Sequence, residues 1–296
     1  SVITGEQEGG YTGATVQVIP NITNEIQDRI LRVGKDKDIV IAEIGGTVGD
    51  IEGLPFLEAI RQLAGRIGRE NLLYCHVTLV PYIAASGELK TKPTQHSVNE
   101  LRRIGIQPDV IVCRSQYPVG RDLREKIGLF CSVAPDCVVE AIDSDSIYRI
   151  PSVLHEQGFD TMVLKKLGLP TDKEPDMRDW NEFLKRLDSR EGEVTVALVG
   201  KYTSLKDAYL SVNEALGHAG AANGVKVRVM PVESSDLENG KADEILSGAN
   251  AILVPGGFGQ RGFEGMLNAA KYAREHKVPY FGLCLGMQVA VVEFAR

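Results

Sequence analysis

The strongest constraint on the fold is a regular alternation between short β-branched runs and longer segments with helical spacing. Runs such as "DIVIAEIGG" and "PDVIVCRS" are apolar at successive positions, which is typical of strands buried on both faces. Segments such as "PFLEAIRQLAGRIG" place apolar residues three and four apart. Because strand–helix alternation favours parallel sheets with crossover helices, we predict an α/β, doubly wound fold. The other predicted strands of the first half are "ATVQVIP", "LLYCHVTLVPY" and "CVVEAID".

The alternation is interrupted once, between residues 169 and 192. There, prolines and dense charge precede a short predicted helix that carries the only tryptophan, Trp180. From Glu193 the strand–helix pattern resumes and continues to "PYFGLCLG". Because a chain of 296 residues suits about two domains, we predict two mainly parallel-sheet domains, 1–168 and 193–296, joined by a linker at 169–192.

The composition narrows the class of protein. A formal net charge of −7 argues against general binding to nucleic acid or to acidic membranes. No apolar run reaches the length of about 18 residues that a membrane span needs, and the opening residues lack a secretory pattern. The five cysteines show no metal-ligand spacing, and four lie in apolar contexts typical of a protein core: Cys75, Cys113, Cys131 and Cys137. We therefore expect a cytoplasmic protein.

The C-terminal segment contains a candidate nucleophile, Cys284, in "GLCLG". Small residues around a nucleophile are typical of a sharp strand-to-helix turn, where helix N–H groups favour the thiolate. The glycine-rich segment "VPGGFGQRG" follows the preceding predicted strand, so we expect the two loops to be neighbours. The N–H groups of Gly257 and Leu285 are then candidates for an oxyanion hole. Taken alone, each segment is equally compatible with a tight turn, and Cys284 with a buried filler residue.

Two polar segments in the first half are candidates for nucleotide binding. "EIGGTVGDIE" ends a predicted buried strand with Glu43 and turns to Asp50 and Glu52, carboxylates suited to Mg²⁺ and to nucleotide hydroxyl or amino groups. In "SGELKTKPTQHSV", Lys90 and Lys92 alternate along an extended segment before a helix start, which suits a triphosphate. The alternatives are an ordinary polar turn for the first segment and a solvated basic loop for the second.

Together these motifs resemble known families. "PGGFG" followed by "YFGLCLGMQ" resembles the class I glutamine amidotransferase domain, and from about residue 9 to residue 296 the chain resembles the CTP synthase family. That resemblance rests on "GATVQVIPNITNEI", "AEIGGTVGDIE", "KTKPTQHSV" and "DSIYRIP". It implies a P-loop-NTPase-like amidoligase domain that phosphorylates UTP with ATP. A flavodoxin-like amidotransferase domain would supply ammonia from glutamine to make CTP.

The resemblance also implies ligands and roles for particular residues. It implies Mg²⁺ and ATP as cofactors, GTP as an allosteric activator, CTP as a feedback inhibitor and a homotetrameric assembly. Glu43 would ligate Mg²⁺. The feedback inhibitor CTP would bind beside Asp50, Ile51 and Glu52, and the adenine of ATP beside Ile142, Asp143 and Ser144. The triphosphate of UTP or CTP would be held by Lys90, Thr91, Lys92, Pro93, Thr94, Gln95 and Lys126. Glutamine would bind around the nucleophile Cys284, at Gly257, Leu285, Gly286, Met287 and Gln288.

The sequence departs from the family pattern in three places. Asn21 stands where the family usually has histidine, no GxxxxGK phosphate loop occurs, and no histidine follows Cys284, whereas the family places a His-x-Glu pair downstream. His276 is not a substitute, since it precedes the strand of the nucleophile. We therefore expect an internal fragment that is inactive by itself, with an exposed apolar sheet edge and helix face prone to aggregation. The alternatives are another P-loop and amidotransferase amidoligase, similar to cobyrinate amidase, and a non-catalytic nucleotide-binding subunit of an assembly.

Overall fold

The computed structural model describes residues 2–11, 13–205 and 207–296. The chain divides into two compact units, residues 1–175 and 176–296. This division lies inside the predicted linker, while the predicted domain boundaries at 168 and 193 stay predictions. Among the described residues, no helix has the length and apolar character needed to cross a membrane.

The first unit is built on a small parallel sheet. Its described helices are α1 (Val2–Gln7), α2 (Thr23–Gly34), α3 (Leu54–Ile67), α4 (Lys92–Arg103), α5 (Gly120–Cys131), α6 (Ile150–Glu156) and α7 (Phe159–Lys166). Its described strands are β1 (Cys75–Leu79), β2 (Tyr82–Ile83), β3 (Glu88–Leu89), β4 (Val110–Ser115) and β5 (Val138–Ile142). The parallel sheet has the order β1-β4-β5. Strands β2 and β3 form a separate antiparallel hairpin, which lies between β1 and α4 in the chain.

The core of this unit explains why the central strand, β4, begins with four apolar residues, Val110 to Cys113. Ile111 and Cys113 of β4 are fully buried and belong to one cluster with Val98 of α4, Ile127 of α5 and Val138 of β5. A strand covered by helices cannot alternate apolar and polar residues. The sheet and the crossover helices therefore follow the predicted pattern, and they bring the carboxyl ends of β4 and β5 to one edge.

Two predicted strands of the first unit are not strands in the structure. Residues 14–20 run into a helical turn at Val18–Ile22, because Pro20 cannot donate to a strand ladder and α2 follows at once. Residues 38–46 form no strand pairing, and Ile41 is 92% exposed. No described strand lies on the outer side of β1. Cys75, on that edge strand, is exposed rather than buried as predicted, whereas Cys113, Cys131 and Cys137 are buried.

The second unit is a four-stranded parallel sheet with helices on both faces. In chain order its described elements are α8 (Arg178–Asp188), β6 (Glu193–Gly200), α9 (Leu210–Ala222), β7 (Lys226–Glu233), α10 (Ala242–Leu246), β8 (Ala251–Val254), α11 (Phe263–His276), β9 (Tyr280–Gly282) and α12 (Leu285–Ala295). The strand order is β7-β6-β8-β9, all parallel. The prediction of a mainly parallel α/β fold is confirmed, and α8 carries Trp180 as predicted.

Both faces of the second sheet are covered by apolar packing. On one face, Ile252 of β8 belongs to a buried cluster with Met266 and Ala269 of α11 and Val289 of α12. On the other face, Val196, Leu198 and Leu253 pack with Tyr209 and residues of α9. The outer side of α12 and the strand before it leave large apolar side chains exposed: Phe281, Met287, Val291 and Phe294. An exposed apolar helix face was expected, and the aggregation it implies stays a prediction.

Candidate functional site

The predicted nucleophile lies on a strained turn between β9 and α12. Cys284 is the residue before α12 and has φ 52° and ψ −103°, a combination that non-glycine residues rarely adopt. Its side chain is exposed, and the first residue of α12, Leu285, follows directly. A strained, exposed residue at a strand-to-helix junction is the geometry of a nucleophile elbow.

The two glycines that flank Cys284 make this turn possible. A Cβ on Gly282 would lie 2.6 Å from the backbone nitrogen of Met287, and one on Gly286 would lie 2.9 Å from the carbonyl carbon of Val254. Both distances are shorter than real Cβ atoms show. The helix start is further tied to the strand, because the Tyr280 hydroxyl donates to the carbonyl of Gly286 at 2.8 Å. Gly282 and Gly286 are therefore needed because a larger side chain at either position would clash with the backbone.

The glycine-rich loop after β8 lies beside the cysteine, as predicted. Strands β8 and β9 are neighbours, and the N–H of Leu283 donates to the carbonyl of Val254 at 2.9 Å. A Cβ placed on Gly256 would lie 3.6 Å from the Cβ of Cys284, and one on Gly257 would lie 3.4 Å from Cδ2 of Leu285. The loops that carry the two predicted oxyanion donors are thus in direct contact.

The predicted oxyanion donors have unused N–H groups. Within the described ranges, neither the N–H of Gly257 nor that of Leu285 donates to a protein acceptor. The next N–H groups of α12 are already occupied, since Gly286 donates to Leu283 and Met287 and Gln288 both donate to Cys284. The side chains of Met287 and Gln288 are exposed. Two unpaired N–H groups on adjacent loops are what a developing oxyanion requires.

No base is hydrogen-bonded to the thiol of Cys284 in the part of the chain that the structure describes. His276, the histidine nearest to it in sequence, is engaged elsewhere: its ring stacks on Tyr272, its Nδ1 lies 3.1 Å from the carbonyl of Tyr272 and its Nε2 lies 3.2 Å from Asp243. The structure therefore agrees with the sequence-based conclusion that His276 does not serve Cys284.

Sequence reasoning missed a lysine that supports the glycine loop. Lys201 follows the last residue of β6 and is only 1% exposed. Its ammonium donates to the carbonyl of Phe258 at 3.2 Å and to that of Gly259. The available signal was a single charge directly after the apolar run "VTVALVG", which reads equally well as a polar residue closing a strand.

In the first unit, one of the predicted phosphate-binding lysines is paired with a carboxylate. Lys90 forms an ion pair with Glu88, and both are partly exposed. The hydrogen bond from Lys90 lowers the pKa of Glu88, and the charge of Lys126 lowers it further. Lys126 lies on α5, and its charge adds to the effect of Lys90 on Glu88. The ammonium of Lys92 lies 5.5 Å from the ring centre of Phe130.

The rest of the predicted triphosphate segment fastens α4 to the sheet. Thr94 is fully buried, and its hydroxyl donates to the carbonyl of Leu79 while accepting from Thr78, both at 3.2 Å. Gln95 is buried and donates to the hydroxyl of Thr91 at 3.1 Å. Pro93 occupies the first turn of α4, where it fits without losing a hydrogen bond. The side chains of Thr94 and Gln95 are thus occupied within the protein. The N-terminus of α4 carries the positive end of the helix dipole and has no acidic residue in its first turn, so it is the part of this segment suited to an anion.

The predicted carboxylate turn is ordered but does not form a metal centre by itself. Asp50 closes the turn by accepting the N–H of Thr47 at 3.2 Å. Glu43, Ile51 and Glu52 are exposed. No group of three or more His, Cys, Asp or Glu side chains with metal-binding geometry occurs in residues 2–11, 13–205 and 207–296. Glu43, Asp50 and Glu52 therefore do not form such a group, and these residues alone do not fit Mg²⁺.

The predicted adenine site lies at the carboxyl end of β5. Ile142 is the last residue of that strand and pairs with Ser115 of β4. Asp143 donates its N–H to the carbonyl of Ser115 at 2.8 Å and accepts from Arg114 at 3.1 Å. Ser144 follows in the exposed loop. Loops beyond the carboxyl ends of parallel strands are where open α/β sheets bind ligands.

Comparisons with known proteins agree with this two-part architecture. Family models match residues 1–169 as CTP synthase N-terminus and residues 204–296 as glutamine amidotransferase class-I. The CTP synthase of Ruminiclostridium cellulolyticum is 58% identical over 298 residues, covering 100% of this chain and 56% of that protein. The CTP synthase of Methanocaldococcus jannaschii is 56% identical over 302 residues, with the same coverage. The chain thus spans about half the length of the curated relatives it matches.

A solved structure also matches part of the chain. It is the glutaminase domain of a Trypanosoma brucei CTPS with bound acivicin, 44% identical, with a TM-score of 0.33 over 35% of this chain and 40% of that chain. The family model of the N-terminal part covers more than half of the 296 residues, and the curated relatives align along the whole chain. The chain belongs to the CTP synthase family.

Proposed function

We propose that the protein to which this chain belongs makes CTP from UTP, ATP and ammonia released from glutamine. The observation that carries the proposal is the elbow at Cys284, where an exposed cysteine meets two unpaired N–H groups on adjacent loops. The protein would act in the cytoplasm, as a homotetramer activated by GTP, as the resemblance to the family implies.

In the second unit, the Cys284 thiolate attacks the side-chain amide carbon of glutamine. The carbonyl oxygen becomes an oxyanion, which the N–H groups of Gly257 and Leu285 stabilise. Collapse of this intermediate breaks the C–N bond and releases ammonia, and water then hydrolyses the thioester to glutamate. The first turn of α12, Leu285 to Gln288, borders the bound glutamine. The thiol proton needs a base, and no described residue is hydrogen-bonded to Cys284.

In the first unit, the lysines and the start of α4 bind the triphosphate of UTP or CTP. Lys90, Lys92 and Lys126 supply positive charge, and the N-terminus of α4, which has no acidic residue in its first turn, adds backbone N–H groups. Asp50, Ile51 and Glu52 border the site of the inhibitor CTP, and Ile142 to Ser144 border adenine. ATP supplies the phosphoryl group for the O4 atom of UTP, and ammonia displaces it as phosphate.

The test uses the full-length gene product with UTP, ATP, GTP and either glutamine or an ammonium salt. We expect CTP from both nitrogen sources in the wild type. The C284A variant should lose glutamine-dependent synthesis and keep ammonia-dependent synthesis within about twofold, because only the nucleophile is removed. Amidation of a corrinoid without CTP formation would instead favour the cobyrinate amidase alternative. CTP binding without any turnover would favour a non-catalytic subunit.

The isolated 296-residue chain provides a separate test. Because no described side chain is placed to take the proton of Cys284, we propose that this chain alone does not hydrolyse glutamine. Glutamate release by the purified chain, absent from a C284A control, would contradict this proposal. It would leave the proposed function of the full-length protein intact.

A further inference from the structure

The second unit contains a buried charge that the proposed mechanism does not use. Lys201 has the largest side chain among the fully buried residues that the structure describes. No carboxylate in the described part of the chain forms an ion pair with Lys201. Its ammonium donates to two backbone carbonyl groups. Burial, together with the nearby charge of Arg261, lowers the pKa of Lys201. Burying a charge without a carboxylate partner is unfavourable, and the two carbonyl contacts are the interactions that offset this cost.

The main chain at Lys201 is fixed on both sides. Its N–H donates to the hydroxyl of Tyr209 at 3.0 Å, and its carbonyl accepts from the guanidinium of Arg261. Arg261 also binds Glu233 at 2.8 Å, and the second carboxylate oxygen of Glu233 accepts from Thr203 at 2.8 Å. The root of the lysine side chain is therefore anchored to the sheet, so the ammonium has a defined position.

The side chain reaches the loop that carries the predicted oxyanion donor. A Cβ placed on Gly257 would lie 3.4 Å from Cδ and 3.6 Å from Cε of Lys201, so the methylene groups lie against this glycine. The ammonium then binds the carbonyls of the next two residues, Phe258 and Gly259. Gly259 has φ 75°, and glycine-rich segments of this kind reorient their peptides easily.

We propose that Lys201 is a positioning residue that holds the glycine loop so that the Gly257 N–H stays available to the oxyanion. It does so by fixing the two peptide carbonyls that follow Gly257. Lys201 touches neither glutamine nor Cys284 in this role. The inference rests on the proposed glutamine hydrolysis and adds a residue to it.

The experiment compares wild type, K201M and K226M as full-length gene products. Lys226 is exposed at the start of β7, so K226M is a matched loss of one lysine. Three quantities are measured with GTP present: kcat and KM for glutamine hydrolysis, CTP formation from an ammonium salt, and the rate of Cys284 alkylation by iodoacetamide. K201R, which keeps the charge and the donors, is assayed for partial rescue.

We expect K201M to lower kcat for glutamine by about 10²- to 10³-fold, the effect of losing one oxyanion donor, with KM changed less than about threefold. Alkylation and ammonia-dependent synthesis should stay within about twofold of wild type. A kcat of K201M within about threefold of wild type would overturn the proposal, as would equal losses in all three quantities, which indicate general damage. If K201M is insoluble, K201Q is read by the same criteria. A wild type that does not hydrolyse glutamine would overturn the proposed function as well.

Discussion

Adding one methyl group at Gly286 is expected to displace the start of α12. A Cβ there would lie 2.9 Å from the carbonyl carbon of Val254 and closer still to its oxygen. That carbonyl already accepts the N–H of Leu283, and β8 is held between β6 and β9. Because the strand cannot move without breaking the sheet, the helix start must shift. Gly286 does not have a left-handed backbone, so the effect is steric.

The expected loss of stability follows from overpacking at a close-packed site. Such insertions cost about 1–3 kcal/mol. With a urea slope of about 2 kcal/mol/M, a loss of about 2 kcal/mol lowers the unfolding midpoint of G286A by about 1 M. Gly217 provides the matched control: it lies within α9, and a Cβ there meets nothing within 4 Å. Since alanine is favoured over glycine inside a helix by about 0.5–1 kcal/mol, G217A should raise the midpoint.

Urea unfolding of the 296-residue chain, followed by the fluorescence of Trp180, measures both effects. Trp180 is the only tryptophan of the chain and lies on α8, within the second unit, so its signal reports that unit. In the full-length protein, G286A should also lower glutamine hydrolysis by about 100-fold, because a shift of about 1 Å misplaces the reacting groups. A midpoint for G286A equal to that of wild type, or an equal decrease in G217A, would refute the reasoning.

Three further predictions concern single contacts. Y280F removes the hydroxyl that donates to Gly286 and should lower the free energy of unfolding by about 0.5–1.5 kcal/mol in urea titrations. The hydrogen bond from Arg61 lowers the pKa of Glu58 from 4.5 to about 2, so the stability advantage of wild type over E58Q should be complete above pH 4.5 and vanish as the pH falls towards 2. In the full-length protein, K126A should weaken CTP binding about tenfold or more, measured by calorimetry, if Lys126 binds the triphosphate as proposed.

The sequence predicted those parts of the fold that are covered on both sides. β4 and β6 each contain a continuous apolar run, Val110–Cys113 and Val196–Gly200, because helices cover both faces, and this pattern is visible without a structure. Residues 38–46 show the same pattern but form no strand, because strand formation needs a neighbour and none of the described strands lies beside them. The apolar composition of a segment indicates its tendency to be buried. Whether the segment forms a strand depends on a neighbouring strand with which its backbone can form hydrogen bonds.

In the second unit, the sequence predicted the turns that form the candidate site. It did not predict the side chain that holds the glycine loop in place. The elbow at Cys284 and the adjacent glycine loop follow from small residues at fixed spacing, which few conformations require. The buried position of Lys201 depends on where β6 ends relative to the loop after β8, a distance that only the folded sheet sets. The pairing of Glu88 with Lys90 was equally hidden, since alternate charges on a hairpin are common at exposed positions.

The backbone conformation of Cys284 makes the turn less stable than a relaxed turn would be. A non-glycine residue at φ 52° and ψ −103° stores about 1–3 kcal/mol of strain, which glycine at the same position would largely avoid. Replacing this cysteine with glycine would remove the candidate nucleophile and raise the free energy of unfolding. The chemistry proposed for Cys284 would explain why a cysteine, and not a glycine, occupies this strained position.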